Sequence, residues 1–246
     1  MLFLLPTAHA QSVEYILDTG AGSFNIGPSQ FDANMTWLNS FDTQPDGEHI
    51  TSVSISFGDI DDNDGNLSSD ALTIAILNDP NNDLDPSDAQ LLSTTSATWV
   101  DTGFGEFVNY PIEPTEVEDI FFVAVMMDVI QRANPASMDP NSPSGGTRSW
   151  LFYNPEPNLH DLGNSPFILR MSDGPFLGAW MVRATGQPAR SCDADLNQDG
   201  NLDFFDVSAF LSAFGLSDDL ADFNQDMVFD FFDISLFLNA FLNGCP

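Results

Sequence analysis

Apolar and polar residues alternate in short runs along residues 12–186, the period of a strand with one buried face. Examples are the apolar triplets at residues 53, 55 and 57, at 72, 74 and 76, and at 121, 123 and 125. Further strands are predicted at residues 13–17, 104–110, 148–153, 167–171 and 180–184, and the apolar run 120–127 predicts a buried strand. About ten short strands with turn-rich connections predict an antiparallel β-sandwich or jelly roll. Residues 134–147, rich in Pro, Ser and Gly, predict a loop.

The spacing of apolar residues changes near residue 187. Residues 187–191 read as a linker, and residues 192–246 as a second, all-α module. Its apolar residues recur at i, i+3, i+4 and i+7, which predicts two helices with one apolar stripe each. The stripe residues are Val207, Phe210, Leu211 and Phe214 in the first helix and Ile234, Phe237, Leu238 and Phe241 in the second.

This module is an internal repeat. Residues 194–217 align without gaps on residues 221–244 at an offset of 27, with 14 of 24 positions identical. Oxygen-bearing side chains fall at positions 1, 3, 5, 9 and 12 of each loop, a spacing that wraps a calcium ion, and position 7 offers its backbone carbonyl. The predicted ligands are Asp195, Asn197, Asp199, Asn201, Asp203 and Asp206 in the first loop, and Asp222, Asn224, Asp226, Val228, Asp230 and Asp233 in the second.

The two loops differ at position 6, where the chain must turn sharply. Gly200 permits this turn, whereas Met227 takes its place in the second loop. The two loops predict two calcium ions. Holding a residue with a side chain at positive φ costs about 1 kcal/mol of folding free energy, so we expect the second loop to bind its ion more weakly. The position-12 residues, Asp206 and Asp233, are also expected to cap the helices that follow.

Composition supports cation binding and excludes polyanionic partners. The chain has 37 acidic residues, 30 of them Asp, against 5 basic residues, and its net charge is −32. A field of that sign repels phosphate backbones, so nucleic-acid binding is excluded. The sequence contains no run of about 18 apolar residues, so no membrane span is predicted.

The first ten residues are apolar and end in Ala8-His9-Ala10, a small-x-small pattern. We interpret residues 1–10 as the remnant of a secretory signal peptide, with a frayed first strand as the alternative. Secretion would permit a disulfide between the only two cysteines, Cys192 and Cys245.

The repeat resembles a type I dockerin, in a variant of secreted planctomycete-like proteins with Asp-Phe-Phe-Asp in each copy (203–206 and 230–233) and a terminal Gly244-Cys245. The resemblance covers about 55 of the 246 residues. It implies an EF-hand-like, calcium-dependent module that binds a cohesin-bearing scaffold in a cellulosome-like assembly. It also implies that the two ends of the module lie close together, as a Cys192–Cys245 disulfide requires.

Loop positions 10 and 11 contribute to cohesin choice in the dockerins that the repeat resembles. Here they are phenylalanines, and two adjacent side chains at a helix start cannot both point inward. We therefore expect at least one per repeat to be exposed and available to a partner, while an ordinary core role is the alternative. The four residues are Phe204, Phe205, Phe231 and Phe232.

No enzymatic motif stands out in residues 12–186. Asp-Thr-Gly occurs at residues 18–20 and 101–103, but 83 residues are too few for two lobes of an aspartic protease, and the tripeptide also suits a turn. His49 is expected to be exposed in a polar turn. A glycoside hydrolase needs two carboxylates in a cleft, and no motif selects a pair. The available glutamates are Glu106, Glu113, Glu116, Glu118 and Glu156.

A binding role is the alternative to catalysis. Six aromatic side chains could stack on sugar rings if exposed, although a core role is favoured. The acidic loops at residues 59–64 and 79–88 are interpreted as solvated turns, with structural calcium as the alternative. The six aromatic residues are Trp37, Trp99, Trp150, Trp180, Tyr110 and Tyr153.

The sequence thus predicts a secreted, extracellular protein whose β-sandwich is a binding or structural module, anchored through calcium-dependent dockerin–cohesin contact to a scaffold or cell surface and linked to polysaccharide degradation. The alternative function is that of a glycoside hydrolase with catalytic carboxylates in the β-sandwich.

Overall fold

The chain divides into two compact units, Met1–Ala189 and Arg190–Pro246. The structure is a computed structural model. It describes residues 12–22, 24–28, 31–58, 71–100, 105–129, 133–142, 145–154, 158–175, 177–188, 194–197, 201–224 and 226–244.

The first unit is built from antiparallel sheets. Its strands are β1 (Val13–Tyr15), β2 (Phe24–Ile26), β3 (Ala33–Asp42), β4 (His49–Ser56), β5 (Ala71–Asn78), β6 (Gln90–Thr98), β7 (Phe107–Glu116), β8 (Ile120–Val129), β9 (Ala136–Asp139), β10 (Ser149–Asn154), β11 (Phe167–Arg170), β12 (Ala179–Trp180) and β13 (Val182–Gln187). They form a four-stranded sheet in the order β1-β13-β4-β7, a six-stranded sheet in the order β11-β10-β3-β8-β5-β6, and a three-stranded sheet in the order β12-β9-β2.

Both faces of the six-stranded sheet are covered. On one face, Trp37, Val123 and Ile74 share a core with Ile55 and Val182 of the four-stranded sheet. On the other face, a second cluster packs strand residues against residues of the loops. Its members include Leu38, Phe122, Phe152, Leu159 and Leu162. Because β8 is buried on both sides, its sequence is a continuous apolar run rather than an alternating one.

Four strands were not predicted. β3 is almost wholly buried, but it carries Thr36, Asn39 and Ser40, which hide its apolar pattern. The Asn39 amide donates to the carbonyls of Trp180 and Val182 at 2.9 Å each, so its burial is compensated. The other three are β2, the Ser/Thr-rich β6, and β9, which lies inside the predicted loop 134–147.

Three predicted boundaries were wrong. The strand predicted at residues 104–110 begins later and runs longer, as β7. The strand predicted at 180–184 is two strands in different sheets, because the chain changes sheet at Met181. β13 also extends to Gln187, one residue into the predicted linker.

The second unit contains two helices, α1 (Phe204–Leu216) and α2 (Phe231–Asn243). The prediction of a mainly β chain with antiparallel sheets and C-terminal helices is confirmed. No helix in the described part of the chain is long and apolar enough to cross a membrane.

Candidate metal loops and their helices

Both helices begin one turn earlier than predicted. Asp203 and Asp230 are the N-cap residues, and their carboxylates accept the backbone N–H of Phe205 and Phe232 at 2.7 and 2.8 Å. The predicted caps, Asp206 and Asp233, stand at the third helical position and accept the N–H of the cap residue in return. This reciprocal pair is a capping box, which satisfies donors that a helix start otherwise leaves open.

Asp206 and Asp233 are fully buried, although each carries a carboxylate. The N–H of Asp203 makes the largest contribution and lowers the pKa of Asp206, burial opposes it, and the N–H of Asn197 lowers it further. The pKa of Asp233 is lowered in the same way by the N–H groups of Asp230 and Asn224, against burial. Each carboxylate is therefore held ionised at the junction of a loop with its helix.

The second loop is folded around its own acidic side chains. The Asp222 carboxylate accepts the N–H groups of Asp226 and Met227 at 3.1 and 2.8 Å. The side-chain amide oxygen of Asn224 also accepts from the N–H of Asp226, and the Asp226 carboxylate accepts from the N–H of Val228 at 2.8 Å. Met227 has φ 63°, which confirms the left-handed turn predicted at position 6. Predicted ligands at positions 1, 3 and 5 thus meet on one side of a tight turn.

The first loop is described only in part. Asp195 is half-buried and Asn197 and Asn201 are exposed, while Asp199 lies outside the described residues. Asp206 accepts the N–H of Asn197 at 3.2 Å, as Asp233 does from Asn224 in the second loop at 3.3 Å. The two repeats therefore join loop to helix through equivalent bonds.

The repeats share one aromatic core. Phe210 and Phe237, which are equivalent residues, stack face to face with centroids 4.1 Å apart and planes 3° apart. Phe223 packs edge-on against both rings. Leu211 and Leu238 were predicted to join this core, but they are exposed, because the buried face of each helix is centred on Phe210 or Phe237 and the residue after it points away. Ala213 is buried beside Phe210 instead.

All four phenylalanines at the helix starts are exposed, which agrees with the prediction of at least one exposed phenylalanine per repeat. Phe204 and Phe205 are 75% and 67% exposed, and Phe231 and Phe232 are 72% and 66% exposed. They occupy the first two positions of each helix, outside the aromatic core. The core alternative for these residues is therefore wrong.

A further acidic loop joins β5 to β6. The carboxylate oxygens of Asp79, Asp83 and Asp88 lie within 4.8 Å of one another and could hold a metal ion. Asp79 is 2% exposed, so the interpretation of this loop as a solvated turn was wrong for its first residue. Its N–H donors are Asn81, Asn82 and Leu84, the last at 2.8 Å.

The bonds of this loop repeat those of the second repeat. Leu84 donates to the aspartate five residues before it and has φ 68°, as Met227 does in its loop. Asp83 donates to Asn81 and accepts from Asp85, which matches the bonds of Asp226. The shared spacing Asp-x-Asn-x-Asp at residues 79–83 and 222–226 was the sequence signal for this likeness.

The residues considered for catalysis or sugar binding are mostly engaged elsewhere. Asp18 of the first Asp-Thr-Gly is buried in an ion pair with Arg183, and the second copy lies outside the described residues. His49 begins β4 and is half-buried, not exposed in a turn. The four tryptophans are buried, with at most 6% exposure, which confirms the core interpretation for them. Tyr110 and Tyr153 pack partly buried against the same core.

Of the five available glutamates, Glu113, Glu116 and Glu118 line one groove between β6 and β7. Glu106 is also described, whereas Glu156 is not. Residues 1–10, the acidic loop 59–64, Cys192 and Cys245 also lie outside the described residues, so the signal peptide and the disulfide stay predictions.

No family model, curated protein or solved structure matches this chain.

Proposed function

We propose that the second unit is a calcium-binding, dockerin-like module that attaches the chain to a cohesin-bearing scaffold. The observation that carries this proposal is the pairing, twice in one chain, of an acidic loop with a helix that begins on two exposed phenylalanines. The chain would be exported, and the anchored first unit, a β-sandwich whose two larger sheets share one core, would serve as a binding or structural module in polysaccharide degradation.

The donor set of the loops fits calcium. Hard cations of this size take six to eight oxygen ligands, and each loop supplies carboxylates, an amide oxygen and a backbone carbonyl. Asp222, Asn224, Asp226, the Val228 carbonyl, Asp230 and Asp233 would hold the ion in the second loop. The equivalent residues of the first loop are Asp195, Asn197, Asp199, Asn201, Asp203 and Asp206. Calcium would neutralise part of the charge that the loops bring together, so binding is expected to stabilise the helices.

The exposed phenylalanines fit a partner surface. A side chain of this size buries about 150–250 Å² when it docks, and aromatic residues are frequent among those that dominate binding energy. Because they lie outside the aromatic core, their removal should leave the fold intact. The acidic loops beside them predict that the partner surface has basic residues around an apolar centre.

Calcium titration of the full chain tests the first half of the proposal. Far-ultraviolet circular dichroism should gain helix as calcium is added, and a chelator should reverse the gain. Magnesium at the same concentration is the control, since it demands a smaller octahedral site and should give a smaller gain. A spectrum unchanged at millimolar calcium would show that the loops are not calcium sites.

Binding to a panel of recombinant cohesin domains tests the second half. Replacing Phe204, Phe205, Phe231 and Phe232 by Ser should abolish capture by a cohesin while the calcium-induced gain of helix persists. The matched control replaces Leu211 and Leu238, which are exposed elsewhere on the helices, by Ser and should retain binding. Equal losses in both variants would contradict the assignment of the phenylalanines.

A further inference from the structure

The edges of the three sheets differ in how open they are. Four edge strands, β1, β2, β11 and β12, have only two to four residues and offer few unpaired backbone groups. The other two, β6 and β7, have nine and ten residues. A long edge strand is a template for another chain unless charge, proline or a bulge blocks it.

β7 carries all three of those features. It contains Pro111 and Pro114, the acidic residues Glu113 and Glu116, and a register shift opposite Ile50 and Ser52. β6, with the sequence QLLSTTSAT, has no charge and no proline; its pairing with β5 shifts once, at Leu92, and is regular over residues 93–98. Among the sheet edges that the structure describes, β6 alone is long and free of both charge and proline.

β6 and β7 lie side by side without forming a ladder. Ser93 and Thr115 share a hydroxyl–hydroxyl bond of 2.6 Å, and the Tyr110 hydroxyl donates to the Thr98 carbonyl at 2.7 Å. No strand pairing joins the two among the described residues, since β6 pairs with β5 and β7 with β4. A groove of about 490 Å³ lies there, the β6–β7 groove, lined by Leu92 and Ser93 on one side and Glu113 and Glu116 on the other.

The geometry points to β6 as the acceptor of an added strand from an extended, basic peptide. Backbone groups of β6 supply the pairing, and exposed Leu92 supplies apolar contact. Glu113, Glu116 and Glu118 line the facing side of the groove and select for basic side chains, because complementary charge across a contact surface attracts the right partner and like charge disfavours the wrong one.

Charge decides between this occupant and a second copy of the chain. Two copies with a net charge of −32 each repel, and the groove would place glutamates against a further acidic surface. A peptide with alternating basic residues meets neither obstacle. This inference concerns the first unit alone, so it goes beyond the proposed calcium and cohesin function and does not depend on it.

The probe is a fluorescein-labelled peptide of nine residues in which Lys and Val alternate, the length of β6. Its fluorescence anisotropy should rise with added full-length protein, while a Glu/Val peptide of the same length should not bind. Two further Lys/Val peptides carry N-methyl groups on the odd or on the even amides. An added strand pairs through alternate residues, so one of these peptides should lose at least about tenfold in affinity and the other should retain it.

The matching protein variant replaces Glu113, Glu116 and Glu118 by Gln. We expect about tenfold weaker binding of the Lys/Val peptide and a smaller dependence on salt, from the loss of three exposed charge pairs. The control replaces Glu14, Asp32 and Asp173, exposed carboxyls outside the groove, by Gln, Asn and Asn, and should bind as the parent does. Thermal unfolding confirms that both variants are folded.

Each remaining outcome would overturn the inference. Equal affinity for both N-methylated peptides and the parent peptide would show that no strand is added. Equal losses in the groove and control variants would show attraction by net charge alone. Concentration-dependent self-association without peptide binding would make a second copy the occupant.

Discussion

At the scale of single residues, the acidic side chains that matter most are those removed from water. Asp139, Asp206 and Asp233 are fully buried, and each accepts hydrogen bonds from N–H or O–H groups. A carboxylate held in this way keeps its charge and fixes the segments that donate to it. Asp139, at the end of β9, holds Thr19 through both its N–H and its hydroxyl at 2.6 Å.

Replacement of Asp139 by Asn should destabilise the first unit by about 2 kcal/mol at neutral pH, since the amide cannot accept all these bonds. Burial would raise the pKa of Asp139, but the bonds from Thr19 and Asn141 outweigh it and lower the pKa below its usual value. Its stabilising effect is therefore fully present above the unfolded pKa and is lost as pH falls through the folded pKa.

Urea unfolding of both proteins at about pH 7 and about pH 2 measures this difference, which should shrink in acid. Asp173→Asn, at an exposed carboxyl, is the control and should have little effect at either pH. A difference between Asp139→Asn and the parent that is as large in acid as at neutrality would contradict the role given to the charge.

The backbone conformation of Met227 has a free-energy cost that can be measured. It is 85% exposed and has φ 63°, which disfavours any side chain with a Cβ. In Met227→Gly the calcium concentration at the midpoint of helix formation should fall about fivefold, because relief of about 1 kcal/mol favours the folded loop. Met227→Ala keeps the Cβ and should leave the midpoint unchanged. A similar shift in both variants would point to the exposed side chain instead of the backbone.

At the scale of elements, the two helices share one core, and the stack of Phe210 on Phe237 is the aromatic contact that joins them. Phe237→Ala should lower the free energy of unfolding of the second unit by about 3–5 kcal/mol, because the ring stacked on Phe210 leaves a cavity. Phe232→Ala, at an exposed ring on the same helix, should change it by no more than about 0.5 kcal/mol. Calorimetry of calcium-loaded protein compares the two, and similar effects would mean that the stack is not the centre of the core.

The elements also show which features a sequence reveals. β8 was predictable, since burial on both faces leaves an uninterrupted apolar run. β3 is equally buried, but its amide and hydroxyl groups find partners on distant strands, such as Ser149 donating to Asn39, and local pattern carries no trace of them. The acidic loops and helices of the second unit were predictable because their contacts are local or repeated. In the loop of Asp79, Asp83 and Asp88 a solvated turn was favoured over structural calcium, because the acidic residues fit no complete calcium-loop spacing. The proximity of the three carboxylates depends on the short 3-10 helix Pro86–Asp88, which that spacing does not predict.

At the scale of the whole molecule, charge and compartment set the conditions in which the chain folds. The second unit has 11 aspartates between residues 190 and 246 and a single arginine, so repulsion opposes its compact state. A covalent link between the ends of the repeat would offset part of that repulsion without adding charge.

We therefore expect a Cys192–Cys245 disulfide in protein made in an oxidising compartment. A closed loop of about 50 residues gives roughly 4 kcal/mol of stabilisation in the chain-entropy description. Peptide mapping without reduction should recover the two cysteines in one linked fragment, and reduced protein provides the control. Recovery of both as alkylatable thiols before reduction would show that they are not joined.

The stack of Phe210 on Phe237 also limits how far the amino-acid sequences of the two repeats can diverge. Each ring is the packing partner of the other, so replacing the phenylalanine of one copy removes a contact of the other copy. The equivalent buried residues Ala194 and Ala221 are likewise unchanged between copies, whereas the turn residues Gly200 and Met227 have diverged. The turn residue of each loop can therefore change in one copy alone, whereas a change at the centre of the core affects both copies at once.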